Sequence, residues 1–565
     1  MATTDRSTTA PDESGEYTHA QLMTILSGLM LAMFLAALDQ TIVSTSIRTI
    51  ADDLQGLSMQ AWATTAYLVT MTITTPIYAK LGDLFGRKKL FLFAITVFVV
   101  GSAACSFAGS MTQLAVARAF QGLGAGGLIP QVLAIIGDLV KPRERARYTG
   151  YFMATFATSS VLGPVIGGFL AGQDSLLGLT GWRWVFLVNV PVGIVALLVV
   201  SRTLHVHPPA SDGRKVRIDW WGAVALSLGV VPLLVVAEQG REWGWGSAGA
   251  LTCYALGAVG VLAFVGIEKV MGDAALIPLR IFRLRAAAVG ITASVVIGMA
   301  MFGSIMAIPL YLQIVHGATP TESGLLMLPM VIGMMSAAIF SGRMIGRTGQ
   351  TRIFPIVGSG IAVVAMLLLS LTTADTPLWK VAPAMFLLGT GLGNCMQPLI
   401  LILQSAVPPR EIGVATGAAT FFRQLGGTLG VAVFLSVLFG TVGGNIATAV
   451  EDASQTTAWQ QTVSDPAVQA DPVDGAVIEA LQGGDDTVLA QVQDDSSIIG
   501  EMNDVIAHPF KVGFAESMDG VFLLAAGVTV LAFLVLLLMP RVELRESSGM
   551  AAARAQAAQE ARGEA

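Results

Sequence analysis

An acidic residue, Asp39, lies near the middle of an apolar run that extends from residue 21 to residue 47. The run is long enough to cross a bilayer, which takes about 20 apolar residues. A carboxylate at the centre of such a helix costs about 2.5–3.5 kcal/mol on insertion scales. It is retained either to bind a proton, an ion or a cationic ligand in a polar cavity, or to form a structural hydrogen bond between helices. We favour the first interpretation.

The composition places the chain among polytopic membrane proteins. Hydrophobic residues make up 54% of the sequence and charged residues 12%, with a mean hydropathy of +0.70, whereas soluble domains carry about 25% charged residues. A soluble enzyme is therefore excluded. The three cysteines all lie inside apolar segments, and the five histidines do not cluster with other ligands. We expect no metal and no cofactor.

Apolar segments separated by turns or charges predict an all-α protein with 14 membrane spans. On the side of the even-numbered loops, 22 Lys and Arg lie in the segments 80–89, 141–147, 202–217, 269–285, 343–352, 410 and 541–545. On the opposite side there are five: Arg48, Arg183, Arg241, Lys380 and Lys511. The positive-inside rule then places both termini in the cytoplasm. The predicted spans are 21–47, 58–79, 90–109, 111–139, 148–171, 184–201, 219–239, 248–267, 287–314, 323–346, 353–373, 379–407, 412–440 and 517–540.

The loop between the second and third spans reads KLGDLFGRKK, residues 80–89. Gly82 and Gly86 suit positions where the backbone bends or approaches a neighbour. Asp83 is placed to accept hydrogen bonds from the start of a helix or to pair with an arginine. Arg87 also helps to fix the orientation of the chain in the membrane. The loop therefore combines a tight turn with charges that can contact a neighbouring helix.

The fourth span carries Arg118, Gly122 and Gly126 at four-residue intervals, so the three share one helix face. The glycines permit close approach of another helix, and a buried arginine requires an anion. Asp39 is the obvious partner, because the two residues lie about 13 and 10 Å deep at 1.5 Å per residue. Asp138 closes this span, where we expect a simple charge at a helix end.

The fifth span contains SSVLGPVIGG, residues 159–168. Ser159, Gly163 and Gly167 form a ridge of small residues at four-residue spacing. Pro164 removes a backbone donor and bends the helix. Such a helix can pack tightly against a partner and pivot on it.

Together these segments resemble those of the major facilitator superfamily. Residues 80–89 resemble its motif A, 114–126 its motif B, and Gly150 followed by 159–168 its antiporter motif C. The segments at 38–46, 181–193 and 421–432 are similar to those of the 14-spanner drug:proton antiporters, the EmrB/QacA-like branch. The resemblance assigns gate residues in motif A (Gly82, Asp83, Gly86, Arg87) and motif C residues (Gly150, Gly163, Pro164, Gly167, Gly168).

The resemblance implies two six-helix bundles with two helices inserted between them. The expected divisions are a disordered cytoplasmic tail (1–20), the N-terminal bundle (21–201), the inserted helices with flanking cytoplasmic loops (202–285), the C-terminal bundle (286–540) and a cytoplasmic tail (541–565). The last bundle includes an outer loop, 441–515, of net charge −11. This loop is either a solvated spacer or a cap that attracts protons or cations, and segments 475–482 and 486–493 in it could form short helices.

The function implied by the resemblance is export of lipophilic small molecules, including antibiotics, across the cell membrane by alternating access. Protons entering down their gradient would drive it, with Asp39 and Arg118 as the coupling pair. We expect a monomer in a lipid bilayer that binds no nucleic acid. The alternatives are export of an endogenous metabolite or lipid by the same mechanism, and a membrane scaffold or sensor that has lost transport.

Ten residues are candidates for the substrate cavity. Met side chains are flexible and suit a tolerant pocket, although filling gaps in the core explains them slightly better. A buried Arg423 requires carbonyls, a glutamine or a lipid phosphate, and both a structural and a functional role stay open. Because Asp39 is the one acid predicted to lie deep in the bundles, we expect neutral or singly charged substrates. The candidates are Met299, Met306, Gln313, Met327, Met330, Met334, Asn394, Gln397, Arg423 and Gln424.

Overall fold

The computed structural model describes residues 17–55, 59–204, 218–483 and 496–544. The side chains of some helical residues, including Gly150 and Pro164 of the predicted motif C, lie outside that description. Most of both predicted tails and the possible helix at 486–493 also fall outside it. Within the described ranges the chain forms helices joined by turns, with an isolated bridge between Leu176 and Leu179.

The helices fall into two halves and an inserted pair. The N-terminal half contains α1 (His19–Asp53), α2 (Gln60–Phe85), α3 (Arg87–Ser106), α4 (Met111–Leu139), α5 (Pro142–Ala171), α6 (Arg183–Leu187) and α7 (Asn189–Thr203). The inserted pair is α8 (Trp220–Trp243) and α9 (Ala248–Met271). The C-terminal half contains α10 (Arg285–Ile314), α11 (Pro320–Leu326), α12 (Leu328–Thr348), α13 (Ile353–Leu369), α14 (Leu378–Ala406), α15 (Ile412–Ser454), α16 (Thr457–Ser464), α17 (Pro466–Gln469), α18 (Pro472–Gly483) and α19 (Asp504–Leu537).

Eleven helices in the described part of the chain are long and apolar enough to cross a membrane. The three predicted spans outside this set correspond to α2, α5 and α13. Helix α13 has only 17 residues, and α2 contains six threonines that lower its hydropathy. The predicted sixth span is divided at Val188, between α6 and α7, and the tenth at Met327, between α11 and α12. The count of fourteen spans therefore stays a prediction.

The two halves repeat one packing pattern. Helix α1 packs against α5, and α2 and α3 pack against α4; correspondingly, α10 packs against α15, and α12 and α13 pack against α14. The predicted close approach at Gly122 and Gly126 is confirmed. A Cβ atom at either position would lie 2.5 Å from the carbonyl oxygen of Tyr67 or Met71 on α2, so larger residues would separate α4 from α2.

The halves meet along two lines of contact. Helices α2 and α4 contact α15, and α5 contacts α12. Helix α8 contacts both α2 and α15, so the inserted pair lies beside the first of these lines, which we call the α2–α15 seam. The buried carboxylate of Glu268 on α9 accepts the N–H groups of Leu276 and Ile277, at 3.1 and 3.2 Å. These bonds hold the connection from α9 to α10.

The two ends of the helix bundle differ in charge. We call the end with the turns at 85–87, 139–142 and 406–412 the basic end, and the end with residues 455–483 and 496–503 the acidic end. At the acidic end the helices are longer than the predicted spans, because α15 continues to Ser454 and α19 begins at Asp504.

Part of the acidic segment folds back onto the C-terminal half. Helix α18 contains the predicted short helix at 475–482. Trp459, Ile478 and Met502 are buried in the same apolar core as residues of α10 and α19. Asp474 is also buried and accepts the N–H of Asn503 at 2.8 Å, just before α19 begins. These described residues form a packed layer rather than a wholly solvated spacer.

Candidate functional site

Asp39 on α1 and Arg118 on α4 form a buried ion pair. Nη1 of Arg118 lies 2.7 Å from Oδ2 of Asp39, and the side chains are 2% and 0% exposed. The guanidinium carbon also lies 4.0 Å from the ring centroid of Tyr67 on α2, in the geometry of a cation–π contact. The structure thus brings together the two residues that the sequence placed at similar depth.

Three further polar side chains complete this network. Oδ1 of Asp39 accepts hydrogen bonds from Nε2 of Gln121 at 2.8 Å and from Nδ2 of Asn189 at 2.7 Å. Both amides also donate to the hydroxyl of Ser102, at 2.6 and 3.2 Å. Two amide donors and the guanidinium of Arg118 thus surround one buried carboxylate.

The sequence analysis missed Gln121, Asn189 and Ser102. Gln121 follows Arg118 by three residues and therefore shares its helix face. Asn189 is a polar residue inside the apolar stretch 184–201, the same kind of signal that marked Asp39. Ser102 gives no such signal, because serine hydroxyls often bond to their own helix backbone.

Motif A forms a charged junction with the C-terminal half at the basic end. Oδ2 of Asp83 accepts the N–H of Val414 at 2.8 Å. Helix α15 begins at Ile412, so this N–H is one of the first four of the helix and has no partner within it. A carboxylate there also opposes the positive end of the helix dipole. Asp83 therefore ties α2 to the start of α15.

Arg87 connects this junction to α4. Its guanidinium forms an ion pair with Asp83, and its Nε donates to Oδ2 of Asp138 at 2.9 Å. The interpretation of Asp138 as a simple charge at a helix end is therefore wrong. It failed because the sequence does not show that the ends of α3 and α4 adjoin. Arg87 lies between two carboxylates from two helices.

Glycines allow the close contacts of this junction. Gly86 joins α2 to α3 with φ of +92°, a conformation that side chains other than hydrogen rarely permit. A Cβ at Gly82 would collide with the side-chain amide of Gln131 on α4. A Cβ at Gly413 would collide with both the Asp83 carboxylate and the Arg87 guanidinium. The role of Gly413 was not predicted.

A second polar contact joins the halves at the basic end. Nη1 of the buried Arg145 on α5 donates to Oε1 of Gln404 on α14 at 2.6 Å, and Nη2 donates to the carbonyl of Gly137 at 2.6 Å. Nε2 of Gln404 donates in turn to the hydroxyl of Thr416 on α15 at 2.9 Å. Motif A and this contact together join the two halves at the basic end.

The predicted ridge of motif C packs against α1. The hydroxyl of Thr41 donates to the carbonyl of Ser159 at 3.2 Å. A Cβ at Gly163 would collide with the Thr41 side chain, and one at Gly167 would lie 2.9 Å from the carbonyl of Ile42. Gly168 is different, since no atom lies within 4 Å of a Cβ built on it. The ridge therefore contacts α1 immediately after Asp39.

We expect Gly163→Ala to reduce transport at least fivefold, because its methyl group would force α5 away from Thr41. Gly168→Ala is the matched control: it adds the same methyl group to the same helix in open space, and Ala is favoured over Gly in helices by about 1 kcal/mol. Transport rates normalised to inserted protein measure the difference. Equal rates for the two variants would contradict the assigned packing.

The methionines predicted to line the cavity occupy different environments. Met330 and Met334 of α12 are buried, and their backbone carbonyls face Gly389 and Gly393 of α14. Met306 is 52% exposed on α10. Met299 and Met327 are half-buried. The burial of two members of the stripe at a helix crossing favours gap filling for those two.

The polar residues predicted to line the cavity also occupy different environments. Nδ2 of Asn394 donates to the carbonyl of Thr390 in its own helix, and its Cβ faces Gly358 of α13. Gln313 and Gln397 are half-buried. Gln424 lies 3.4 Å from the hydroxyl of Thr75, with Oε1 as acceptor. Of these four, only Gln424 bonds across the halves among the described residues.

An apolar cavity of about 150 Å³ lies between α10, α11, α12 and α14. Its lining includes Leu312, Leu326, Pro329 and Met385, and none of the ten cavity candidates contributes to it. It is therefore distinct from the predicted substrate cavity.

Comparison with known proteins agrees with this architecture. The sequence matches the family model described as Major Facilitator Superfamily over residues 29–431. An uncharacterised MFS-type transporter of Mycobacterium tuberculosis is 34% identical over 523 residues, which cover 92% of this chain and 70% of the relative. The multidrug transporter protein MdtP of Bacillus subtilis is 36% identical over 406 residues, 71% of this chain and 73% of the relative.

A solved structure shares the fold. The proton:xylose symporter XylE, bound to 6-bromo-6-deoxy-D-glucose, superposes with a TM-score of 0.58 at 13% identity, over 96% of this chain and 100% of the other. The predicted all-α transporter fold is confirmed, and the matched family consists of transporters rather than enzymes. The chain belongs to the major facilitator superfamily.

Proposed function

We propose that this protein is a proton-coupled antiporter that exports lipophilic small molecules across the cell membrane, with the basic end and both termini in the cytoplasm. The buried network around Asp39 is the main support. A carboxylate held inside the membrane by four helices has no need of that position for folding alone, since an apolar residue would cost less. The excess of Lys and Arg at the basic end supports the orientation.

Alternating access would use the contacts between the halves. Two contacts at the basic end, Asp83 with Val414 and Arg145 with Gln404, would keep that end closed while the other end is open. Opening that end separates α15 from α2, while α1 and α5 move together through the ridge beside Asp39. Movement of α1 relative to α4 lengthens the Asp39–Arg118 contact, which lets a proton replace the guanidinium as the partner of the carboxylate.

The proton gradient supplies enough energy for this work. At a membrane potential of about 150 mV one proton carries about 3.5 kcal/mol. That energy sustains a gradient of a few hundred-fold for a neutral substrate. The relatives named as multidrug transporters support lipophilic compounds as substrates, and the intact Asp39 network counts against a scaffold without transport.

Purified protein in proteoliposomes tests this proposal directly. With a neutral lipophilic dye and a pH indicator, an imposed proton gradient should drive dye accumulation together with proton movement in the opposite direction. Dissipating the gradient with an ionophore should stop both. Dye movement that is unaffected by the ionophore would exclude proton coupling. Dye that moves only down its own gradient, with no proton movement in the opposite direction, would exclude antiport.

A further inference from the structure

Arg423 is a charged residue in the interior of the C-terminal half. It is the twelfth residue of α15 and its side chain is half-buried. Among the described residues no carboxylate forms an ion pair with it and no side chain or carbonyl accepts a hydrogen bond from its guanidinium. A guanidinium this far from the helix ends cannot reach bulk water by extending along the helix, so an anion would stabilise it.

The neighbours of Arg423 place it where the halves adjoin. Phe422 contacts Phe282 on one side of α15, with ring centroids 6.0 Å apart. Gln424 contacts Thr75 of α2 on the other side, at 3.4 Å. Between them, the backbone of Arg423 lies against Gly298 of α10, where a Cβ would collide with its carbonyl. Arg423 therefore lies on the part of α15 that faces both α10 and α2.

Among the described residues, Arg423 is a charge in the membrane interior that no opposite charge neutralises. Asp39 and Arg118 neutralise each other and are both buried. Asp519 on α19 lies nearer the acidic end than Arg423 does. The nearby Ser517 accepts a hydrogen bond from Asn445 of α15. Residue 445 lies beyond 440, where the predicted membrane span ends. The guanidinium of Arg423 thus gives its surroundings a positive potential, which repels cations and attracts anions.

We propose that Arg423 binds the anionic head of the transported molecule, so that this antiporter prefers amphiphiles with one carboxylate, sulfonate or phosphate group to amphiphiles with a cationic group. A guanidinium fork matches the two oxygens of such a head. The half-buried Phe302 and Met299 of α10 pack near the same part of α15 and suit an apolar tail. The proposal names a substrate class for the exporter function proposed above, and it rests on that function for the direction of transport.

Three amphiphiles that share one fluorophore and one alkyl chain, with a carboxylate, an uncharged amide or a quaternary ammonium head, test the preference. In proteoliposomes of neutral phosphatidylcholine we expect the full-length protein to transport the carboxylate at least tenfold faster than the ammonium compound. Arg423→Gln should lose that advantage, so that its rates for the carboxylate and ammonium compounds lie within twofold of each other. Arg343→Gln, which removes an exposed arginine of α12, is the control and should retain the preference.

Equilibrium binding in detergent separates this proposal from the proposed function. The carboxylate compound should bind at least tenfold more weakly to Arg423→Gln than to the native protein even if no transport is observed, and Arg423→Lys should give an intermediate affinity. Equal binding of the three compounds to the native protein would overturn the proposal while leaving proton-coupled export standing. If Arg423→Gln is unstable, the affinity of Arg423→Lys for the carboxylate compound is compared with that of the native protein, and equal affinities would overturn the proposal.

A lipid phosphate is the other source of the same chemistry. Mass spectrometry of the detergent-solubilised protein would reveal an anionic phospholipid that remains bound to the native chain and is lost from Arg423→Lys. Such a lipid, if not displaced by the carboxylate compound, would overturn the assignment of Arg423 to the substrate. Displacement of that lipid, or its absence, would support the assignment.

Discussion

Replacing Asp39 with asparagine is expected to lower proton-driven export at least a hundredfold while substrate affinity changes less than threefold. Asparagine is close in size to aspartate, and its one carbonyl oxygen can still accept a hydrogen bond from either Arg118 or Asn189, while its NH2 group faces the other donor. It cannot bind or release a proton near neutral pH, so the cycle loses its coupling step. The measurement is substrate accumulation in proteoliposomes under an imposed proton gradient, with binding measured separately in detergent.

Matched variants decide whether the loss reflects the proton or the packing. Ser102→Ala removes a hydroxyl from the same network but leaves the carboxylate and its three donors in place. We expect it to keep more than a third of the export rate. Substrate exchange without a gradient should survive in Asp39→Asn. Full gradient-driven export by Asp39→Asn would refute the coupling role.

Several parts of the site could be predicted because the type of a residue and its place in the sequence are enough to mark it as part of a site. Asp39 and Arg118 are charges in apolar helices, and their similar depth indicates a pair. Gly163 and Gly167 reveal a contact surface through their spacing, although Gly168 in the same motif proves to face open space. The family fold followed from four motifs in order along the chain.

Other parts depend on contacts between distant segments, which the sequence does not encode locally. The partner of Asp83 is a backbone N–H at position 414, and backbone groups carry no residue-type signal. Arg145 and Gln404 are 259 residues apart and meet only because the halves close. The predicted span ends at 440 because the following residues are more polar, whereas α15 continues and apolar residues of that part share one core with residues of α16 and α18.

Replacing Asp83 with alanine is expected to open the basic end. The variant loses the acceptor of the Val414 N–H and one of the two carboxylates around Arg87. Loss of a helix-capping acceptor costs about 1 kcal/mol, and loss of a charged hydrogen-bond partner about 1.5–3 kcal/mol. A net change of about 2 kcal/mol between open and closed forms shifts their ratio about thirtyfold.

Thr420→Cys reports this shift, because Thr420 is buried on α15 one turn further from the basic end than Thr416. In a background without the three native cysteines, a water-soluble maleimide should label this position at least fivefold faster in Asp83→Ala. Asp83→Asn keeps an acceptor for the N–H of Val414, so its labelling rate should lie between those of the protein with Asp83 and of Asp83→Ala. Gln404→Ala removes the partner of Arg145 and should increase labelling further in Asp83→Ala, since it removes a second contact between the halves. Unchanged labelling in the double variant, together with normal transport, would show that neither contact holds the basic end closed.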